Sequence, residues 1–176
     1  MYFPGLVIGV AWSQRNLDLP QLAEDYIIGS GGEIGTVIGI KIRDIYDESK
    51  GEELGNRLTN AAVTFTVWKA RYTDQSSSTG VAVIPAVEDK EWRLPGGKVN
   101  ESIALKLSLQ DFVSNKLVSR FETIENPRLS IPSKTLCRHY ELVRLNYLKE
   151  VARRGDEVAE GRGSLGRYAT KSNTRK

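Results

Sequence analysis

Apolar and polar positions alternate most clearly in the first forty residues. Two short apolar runs, FPGLVIGVAW at 3–12 and TVIGIKI at 36–42, predict largely buried strands. The segment between them has apolar side chains at helical spacing, namely Leu19, Leu22, Ala23, Tyr26 and Ile27. Asp18 as the N-cap and Pro20 in the first turn predict that this helix runs over about 19–28. The pattern therefore predicts a βαβ unit with parallel strands and a right-handed crossover.

The middle of the chain has the period-two alternation of antiparallel strands. Residues 61–72 predict one long strand. One face of it has Val63, Phe65 and Val67, and the other has Thr64, Thr66 and Trp68. The polar loop at 73–80 predicts a hairpin into a strand at 81–87, and the alternating leucines of 103–109 predict a further strand. Residues 44–58 are interpreted as a charged connection.

A helix closes the predicted domain. It begins at Ser133 or Lys134 and runs to about residue 152. Its apolar face consists of Leu136, Tyr140, Val143, Tyr147 and Val151. A chain of 176 residues suits a single domain of ordinary size. We therefore expect one α/β domain at 1–152 with a mixed sheet.

The last part of the chain differs from the rest in composition. Residues 153–176 hold seven Lys and Arg residues against three Asp and Glu residues, and they contain few large apolar residues. We expect a disordered basic tail, because such a segment buries too little surface to offset its ordering entropy. The tail could contact nucleic acid phosphates through basic side chains. The candidates are Arg153, Arg154, Arg162, Arg167 and Lys171.

Several other classes of protein and site are disfavoured by composition and spacing. No apolar stretch approaches the ~20 residues of a membrane-spanning helix, so no membrane partner is expected. Cys137 is the only cysteine, which favours an intracellular protein of cytoplasm or nucleus. His139 is the only histidine, and its side chain diverges from that of Cys137 on a helix. We expect no metal site and no cofactor.

Two glycine-rich segments resemble phosphate-binding loops only superficially. GSGGEIG at 29–35 follows the predicted helix and precedes a strand, which is the reverse of a dinucleotide-binding loop. PGGK at 95–98 lacks the spacing of a phosphate-binding loop and lies between two β-like segments. Both are predicted to be turns.

The N-terminal pattern PGLVIGVAWSQRNLDLPQLAEDYI, followed by GEIGTVIGIKI, resembles the core of the PD-(D/E)xK restriction-endonuclease-like superfamily. It is similar in particular to fungal proteins related to the bacterial Uma restriction-endonuclease-like group. The later segments LKLSLQDF and LSIPSKTLCRHYE extend the resemblance, which covers most of residues 3–145. It implies a restriction-endonuclease-like mixed sheet with a βαβ crossover near the N-terminus, antiparallel strands and a C-terminal helix. The core is expected to be truncated at its N-terminus, since the chain starts at the motif strand.

The residues that the superfamily uses for catalysis are missing from the matching positions. Its strand aspartate and glutamate fall on Gly5 and Gly9, and its basic helix residue falls on Leu22. Metal-assisted phosphodiester cleavage needs carboxylates to hold the divalent ion, and glycine provides no ligand. The resemblance therefore implies a catalytically inactive relative, with Gly5 and Gly9 as vacancies of a former site.

Three classes of function stay open at this point. The first is an inactive nuclease-like domain that retains nucleic acid contact through its basic tail. The second is a non-enzymatic module that binds a protein partner. The third is an enzyme whose site is formed by other residues, which would require a pocket with convergent carboxylates. Fold alone does not choose between them.

Overall fold

A computed structural model describes residues 3–11, 18–43, 45, 53–72, 80–114, 117 and 125–166, with side chains described as far as residue 154. The chain divides into two compact units, residues 1–137 and 138–176. Helix α3 (Ser133–Gly166) begins in the first unit and continues in the second. The other elements belong to the first unit, and their bounds are β1 (Leu6–Ala11), α1 (Leu19–Gly29), β2 (Thr36–Ile42), α2 (Leu54–Asn60), β3 (Val63–Tyr72), β4 (Val81–Arg93), β5 (Ala104–Ser108) and β6 (Arg128–Pro132).

Four strands form a mixed sheet in the order β1-β2-β3-β4. Strands β1 and β2 are parallel, whereas β2 pairs with β3 and β3 with β4 in antiparallel fashion. Strands β5 and β6 form a second, two-stranded antiparallel sheet. The predicted α/β class, the mixed sheet and the parallel βαβ unit are therefore confirmed.

Helix α1 forms where the sequence places its start and end signals. The Asp18 side chain accepts a hydrogen bond from the backbone N–H of Gln21 at 3.2 Å, as expected of an N-cap. The helix packs on one face of the sheet. The buried cluster between them consists of Ala11, Leu19, Ala23, Ile27, Ile34, Val37, Trp68 and Val81. Burial of this apolar stripe is the main stabilisation available to a helix of this length.

Three features of the first unit differ from the sequence predictions. Helix α2 lies within and beyond the segment interpreted as a charged connection, and β6 was not predicted. Both elements are short, and short elements carry little periodic signal. Strand β4 continues past the predicted end at residue 87 to Arg93. It is the last strand in the sheet order, and an edge position tolerates the exposed charged residues at 88–91, which have no strand-like pattern.

Two glycines let α1 and an indole ring approach the sheet closely. Gly9 and Gly39 are neighbours in the register of β1 and β2. A Cβ atom at Gly9 would lie 3.1 Å from Cδ2 of Leu22. At Gly39 it would lie 2.6 Å from Cζ3 of Trp68 and 3.2 Å from Cδ1 of Leu19. Side chains at these positions would therefore push the helix and the indole away from the sheet.

We expect Gly39→Ala to lower the free energy of unfolding by about 1–3 kcal/mol, because the added methyl group overlaps the Trp68 ring. The control is Gly55→Ala in α2, where no atom lies within 4 Å of the new Cβ. The control should leave stability unchanged or raise it by up to about 1 kcal/mol. Urea unfolding followed by circular dichroism measures both. Equal effects of the two substitutions would contradict the close-packing explanation.

A buried carboxylate joins the segment after β5 to the main sheet. Asp111 lies in a single helical turn that follows β5. Its Oδ1 accepts hydrogen bonds from Oγ1 of Thr36 at 3.0 Å and from Nζ of Lys69 at 2.7 Å. Its Oδ2 accepts the backbone N–H of Ser108 at 2.7 Å. Thr36 and Lys69 are opposite one another in the β2–β3 register, so Asp111 bridges two strands.

The hydrogen bonds of Asp111 determine its ionisation. Burial raises the pKa of this carboxyl, but the hydrogen bonds and the charge of Lys69, with the bonds from Ser108 and Thr36, outweigh burial. The net result is a pKa below the usual range, so the carboxylate stays ionised in the folded protein.

A depressed pKa in the folded state contributes stability above the unfolded-state pKa of about 3.9 and loses it as pH falls through the folded-state pKa. We expect Asp111→Asn to lower stability at neutral pH by about 1–3 kcal/mol, because Lys69 and Thr36 lose a charged acceptor. The acid-induced loss of stability should also become smaller. Urea unfolding over a pH series measures both effects, with the exposed Glu24→Gln as control. An unchanged pH profile for Asp111→Asn would count against the prediction.

Helix α3 extends beyond the predicted end at residue 152, as far as Gly166. Ion pairs one helical turn apart stabilise this additional part of the helix. Arg153 and Arg154 both bond to the carboxylate of Glu150. The helix therefore includes the first part of the segment predicted to be a disordered tail. Residues 167–176 lie outside the described residues, and the domain boundary at 152 stays a prediction.

Candidate functional site

A cavity of about 390 Å³ lies between the N-terminus of α1 and the sheet face that α1 covers. Its wall from the helix consists of Asp18, Leu19 and Pro20. The sheet contributes Gly39, Lys41, Thr66, Trp68, Pro85, Glu88 and Asp89. In open α/β sheets, ligands bind preferentially beyond the carboxyl ends of parallel strands. The cavity lies beside the carboxyl-terminal half of β2 and is therefore placed where such a site is expected.

A β-bulge shapes one side of the cavity. Phe65 pairs with Lys90 and Val67 pairs with Val87, so two residues of β4 lie opposite the single residue Thr66. These two residues are Glu88 and Asp89. The bulge thus places two adjacent carboxylates at the cavity on a strand that would otherwise point them to opposite faces.

The backbone of Asp89 has a left-handed conformation. Its φ is +40°, and it is the only non-glycine residue with positive φ among those the structure describes. Its N–H donates a hydrogen bond to Oγ1 of Thr66 at 3.1 Å, which holds the bulge against β3. Glycine adopts such a conformation at a lower free-energy cost than aspartate does. The backbone conformation alone would therefore favour glycine at this position, where the chain has a carboxylate.

The floor of the cavity combines apolar and hydroxyl-bearing side chains. Trp68 and Thr66 are each only 7% exposed, and they lie on the same face of β3 as Thr64. The register places Gly39 opposite Thr66, and Lys41 opposite Thr64. The Thr64 hydroxyl is buried and has no hydrogen-bond partner among the residues that the structure describes. Burying a hydroxyl without a hydrogen-bond partner costs folding free energy. Thr64 lies two residues before Thr66 along β3, next to the cavity but outside its lining.

The cavity is negatively charged. Asp18, Glu88 and Asp89 carry carboxylates, and Lys41 carries the one ammonium group among the lining residues. Within the described part of the chain, Lys41, Glu88 and Asp89 form no ion pair with any other residue. The described residues also contain no group of three or more His, Cys, Asp or Glu side chains placed to hold a metal ion. The three lining carboxylates thus border the cavity without converging on a metal-binding position.

The three positions expected to mark a lost nuclease site lie outside the lining of this cavity. Gly9 and Leu22 contact each other where α1 packs on β1. Gly5 lies apart from them, and a Cβ atom there would overlap the backbone of Val113. Close packing is a sufficient physical reason for both glycines, and the nuclease relationship stays a prediction.

The basic residues proposed for nucleic acid contact lie in and beyond α3. Arg153 and Arg154 both bond to Glu150, at 2.8 Å and 3.1 Å respectively. Arg162 is in the helix, but its side chain lies beyond those described, and Arg167 and Lys171 lie outside the described residues altogether. The structure brings Arg153 and Arg154 together around one carboxylate, which partly neutralises them.

The predicted turns at the two glycine-rich segments are confirmed, and the side chains of Cys137 and His139 diverge as predicted. GSGGEIG ends α1 and forms a turn in which Gly31 and Gly32 have positive φ. PGGK forms a turn between β4 and β5 in which Gly96 and Gly97 have positive φ. Cys137 is buried, with Sγ 3.8 Å from the carbonyl oxygen of Trp92, whereas His139 is exposed.

Sequence reasoning missed most of the residues that line the cavity. Asp18 was assigned only a capping role, and Lys41, Glu88 and Asp89 were not singled out. Two signals were present in the sequence. Lys41 interrupts an apolar strand, and Glu88 and Asp89 follow a proline in a run otherwise suited to a strand, which is a pattern typical of a bulge at a sheet edge.

Comparison of the chain with protein-family models, with curated proteins and with solved structures returns no match. The site is therefore interpreted from its own geometry. Among the described residues there is no helix with the length and apolarity needed to cross a membrane.

If the bulge holds Asp89 in an unfavourable conformation, Asp89→Gly should leave stability unchanged or raise it by up to about 1 kcal/mol. Glu88→Gly is the matched control, because Glu88 has negative φ. Glycine there gains no relief of strain and adds freedom to the unfolded backbone, so the free energy of unfolding should fall by about 0.5–1 kcal/mol. Thermal and urea unfolding measure both variants. A loss for Asp89→Gly as large as that of the control would show that the aspartate is preferred there for stability.

Proposed function

We propose that this protein is a non-enzymatic binding domain that takes a small ligand, or a single side chain of a partner, into the cavity beside β2. The observation that carries this proposal is the bulge in β4, which gathers Glu88 and Asp89 at a cavity beside the end of a parallel strand. The volume of about 390 Å³ falls within the range of small-molecule sites.

The composition of the lining favours binding over catalysis. Thr66 is the only hydroxyl-bearing residue among the lining residues, which include no histidine or cysteine. Its oxygen accepts the backbone N–H of Asp89 rather than facing a general base. A hydroxyl nucleophile needs to donate its proton to a base within hydrogen-bond reach, and Thr66 makes no such bond among the described residues. A binding role needs only the shape and charge that the lining provides.

The nuclease-like ancestry is a separate proposal about the fold. It is supported by the parallel β1–α1–β2 unit followed by antiparallel strands, which is the order that the superfamily resemblance implies. Nucleic acid contact through the basic residues of α3 and the tail belongs to the same proposal. It does not involve the cavity, whose carboxylates would repel phosphate.

A fragment screen against the ¹⁵N-labelled protein, observed by the chemical shifts of its backbone amides, tests the binding role. We expect weak hits from a chemically diverse library to shift the backbone amide signals of Leu19, Gly39 and Asp89. The amides of β5, such as that of Lys106, serve as an internal control and should not move, since β5 belongs to the other sheet. A library in which no compound shifts the cavity signals, or in which the hits cluster elsewhere, would overturn the proposed function.

A further inference from the structure

The charge of the cavity restricts the class of ligand, provided that the proposed binding role is correct. The lining holds three carboxylates, from Asp18, Glu88 and Asp89, against the single ammonium group of Lys41. Of these carboxylates, only that of Asp18 takes part in a described hydrogen bond, as the helix cap. Because the excess negative charge is not compensated by other described residues, a positively charged ligand gains electrostatic energy and an anion loses it.

The apolar part of the lining suits a hydrocarbon chain rather than a bare ion. Trp68 and Pro85 are opposite each other in the β3–β4 register and form an apolar end of the site. Leu19 and Pro20 add apolar surface from α1. A ligand with an alkyl stem and a charged head would bury its stem against these residues while its head meets the carboxylates.

The hydrogen-bonding groups favour a head that carries N–H donors. Carboxylates act only as acceptors, so Glu88 and Asp89 need a ligand that donates. Guanidinium and ammonium groups donate several N–H bonds at once, and their bonds to carboxylates are among the stronger ones in proteins.

We propose that the cavity binds an alkyl guanidinium or alkylammonium group, the group that arginine and lysine side chains carry. The carboxylates of Glu88 and Asp89 receive the cationic head, and Trp68 with Pro85 holds the alkyl stem. The source of the group is either a free small molecule or a basic side chain of a partner peptide.

The test compares two probes of nearly equal shape, butylguanidinium and the neutral butylurea, titrated against the full chain by NMR. We expect the cation to shift the Asp89 and Gly39 amide signals with a Kd about tenfold or more below that of the urea. Asp89→Asn keeps a residue that tolerates positive φ and removes only the charge. It should weaken binding of the cation about three- to fivefold and leave binding of butylurea unchanged.

Asp25→Asn is the matched control, because it removes one exposed carboxylate from α1 outside the cavity. It should leave the affinity for butylguanidinium within about twofold, since exposed charges at a distance are screened. An equal effect of Asp25→Asn and Asp89→Asn would reduce the result to net charge and overturn the proposal.

Two further outcomes separate this proposal from the binding role on which it rests. If butylurea binds in the cavity as tightly as butylguanidinium, the cation assignment fails while the binding role stands. If neither probe nor any library fragment shifts the cavity signals, both fail. A peptide with one central arginine distinguishes the sources: tighter binding than butylguanidinium indicates a partner side chain, equal or weaker binding indicates a free ligand, and either result supports the cation site.

Discussion

The close approach of α1 to the sheet over Gly9 and Gly39 is the constraint on which the rest of the site depends. The two glycines are neighbours in the parallel register, and each meets a leucine of α1. Their missing side chains let the helix lie close to the strands and let the Trp68 indole lie against the backbone of β2. This packing determines where the N-terminus of α1 ends up, and therefore where Asp18 forms one wall of the cavity.

Two aspartates show how differently one fold can use a carboxylate. Asp111 is buried, and its oxygens are occupied by Thr36, Lys69 and Ser108, so its charge joins elements together. Asp89 is exposed at a bulge, has an unfavourable backbone conformation, and forms no ion pair among the described residues. The first arrangement is that of a structural link. The second leaves charge available to a ligand, which is the physical basis for proposing a binding site there.

Much of the fold was predictable because its longer elements have strong local signals. The cap at Asp18, the 3.6-residue period of α1 and the apolar run of β2 predict their elements nearly to the residue. The short elements α2 and β6 were missed, because five to seven residues contain too little periodicity to distinguish them from loops. The predicted β4 strand ends too early for a related reason, since the run of charged residues at 88–91 resembles a loop.

By itself, the sequence determined the α/β class, the parallel unit and the turns, because these follow from hydrophobic spacing and from the residues that begin and end each element. The placement of the superfamily's catalytic positions on Gly5, Gly9 and Leu22 stays a prediction. Only the tertiary structure decided what surrounds the glycines and where charge collects. The pairing register places Glu88 and Asp89 of the β4 bulge opposite Thr66, and the packing of α1 brings Asp18 to the same cavity. Such juxtapositions depend on contacts between residues far apart in the chain. The hydrophobic pattern within one element does not predict them.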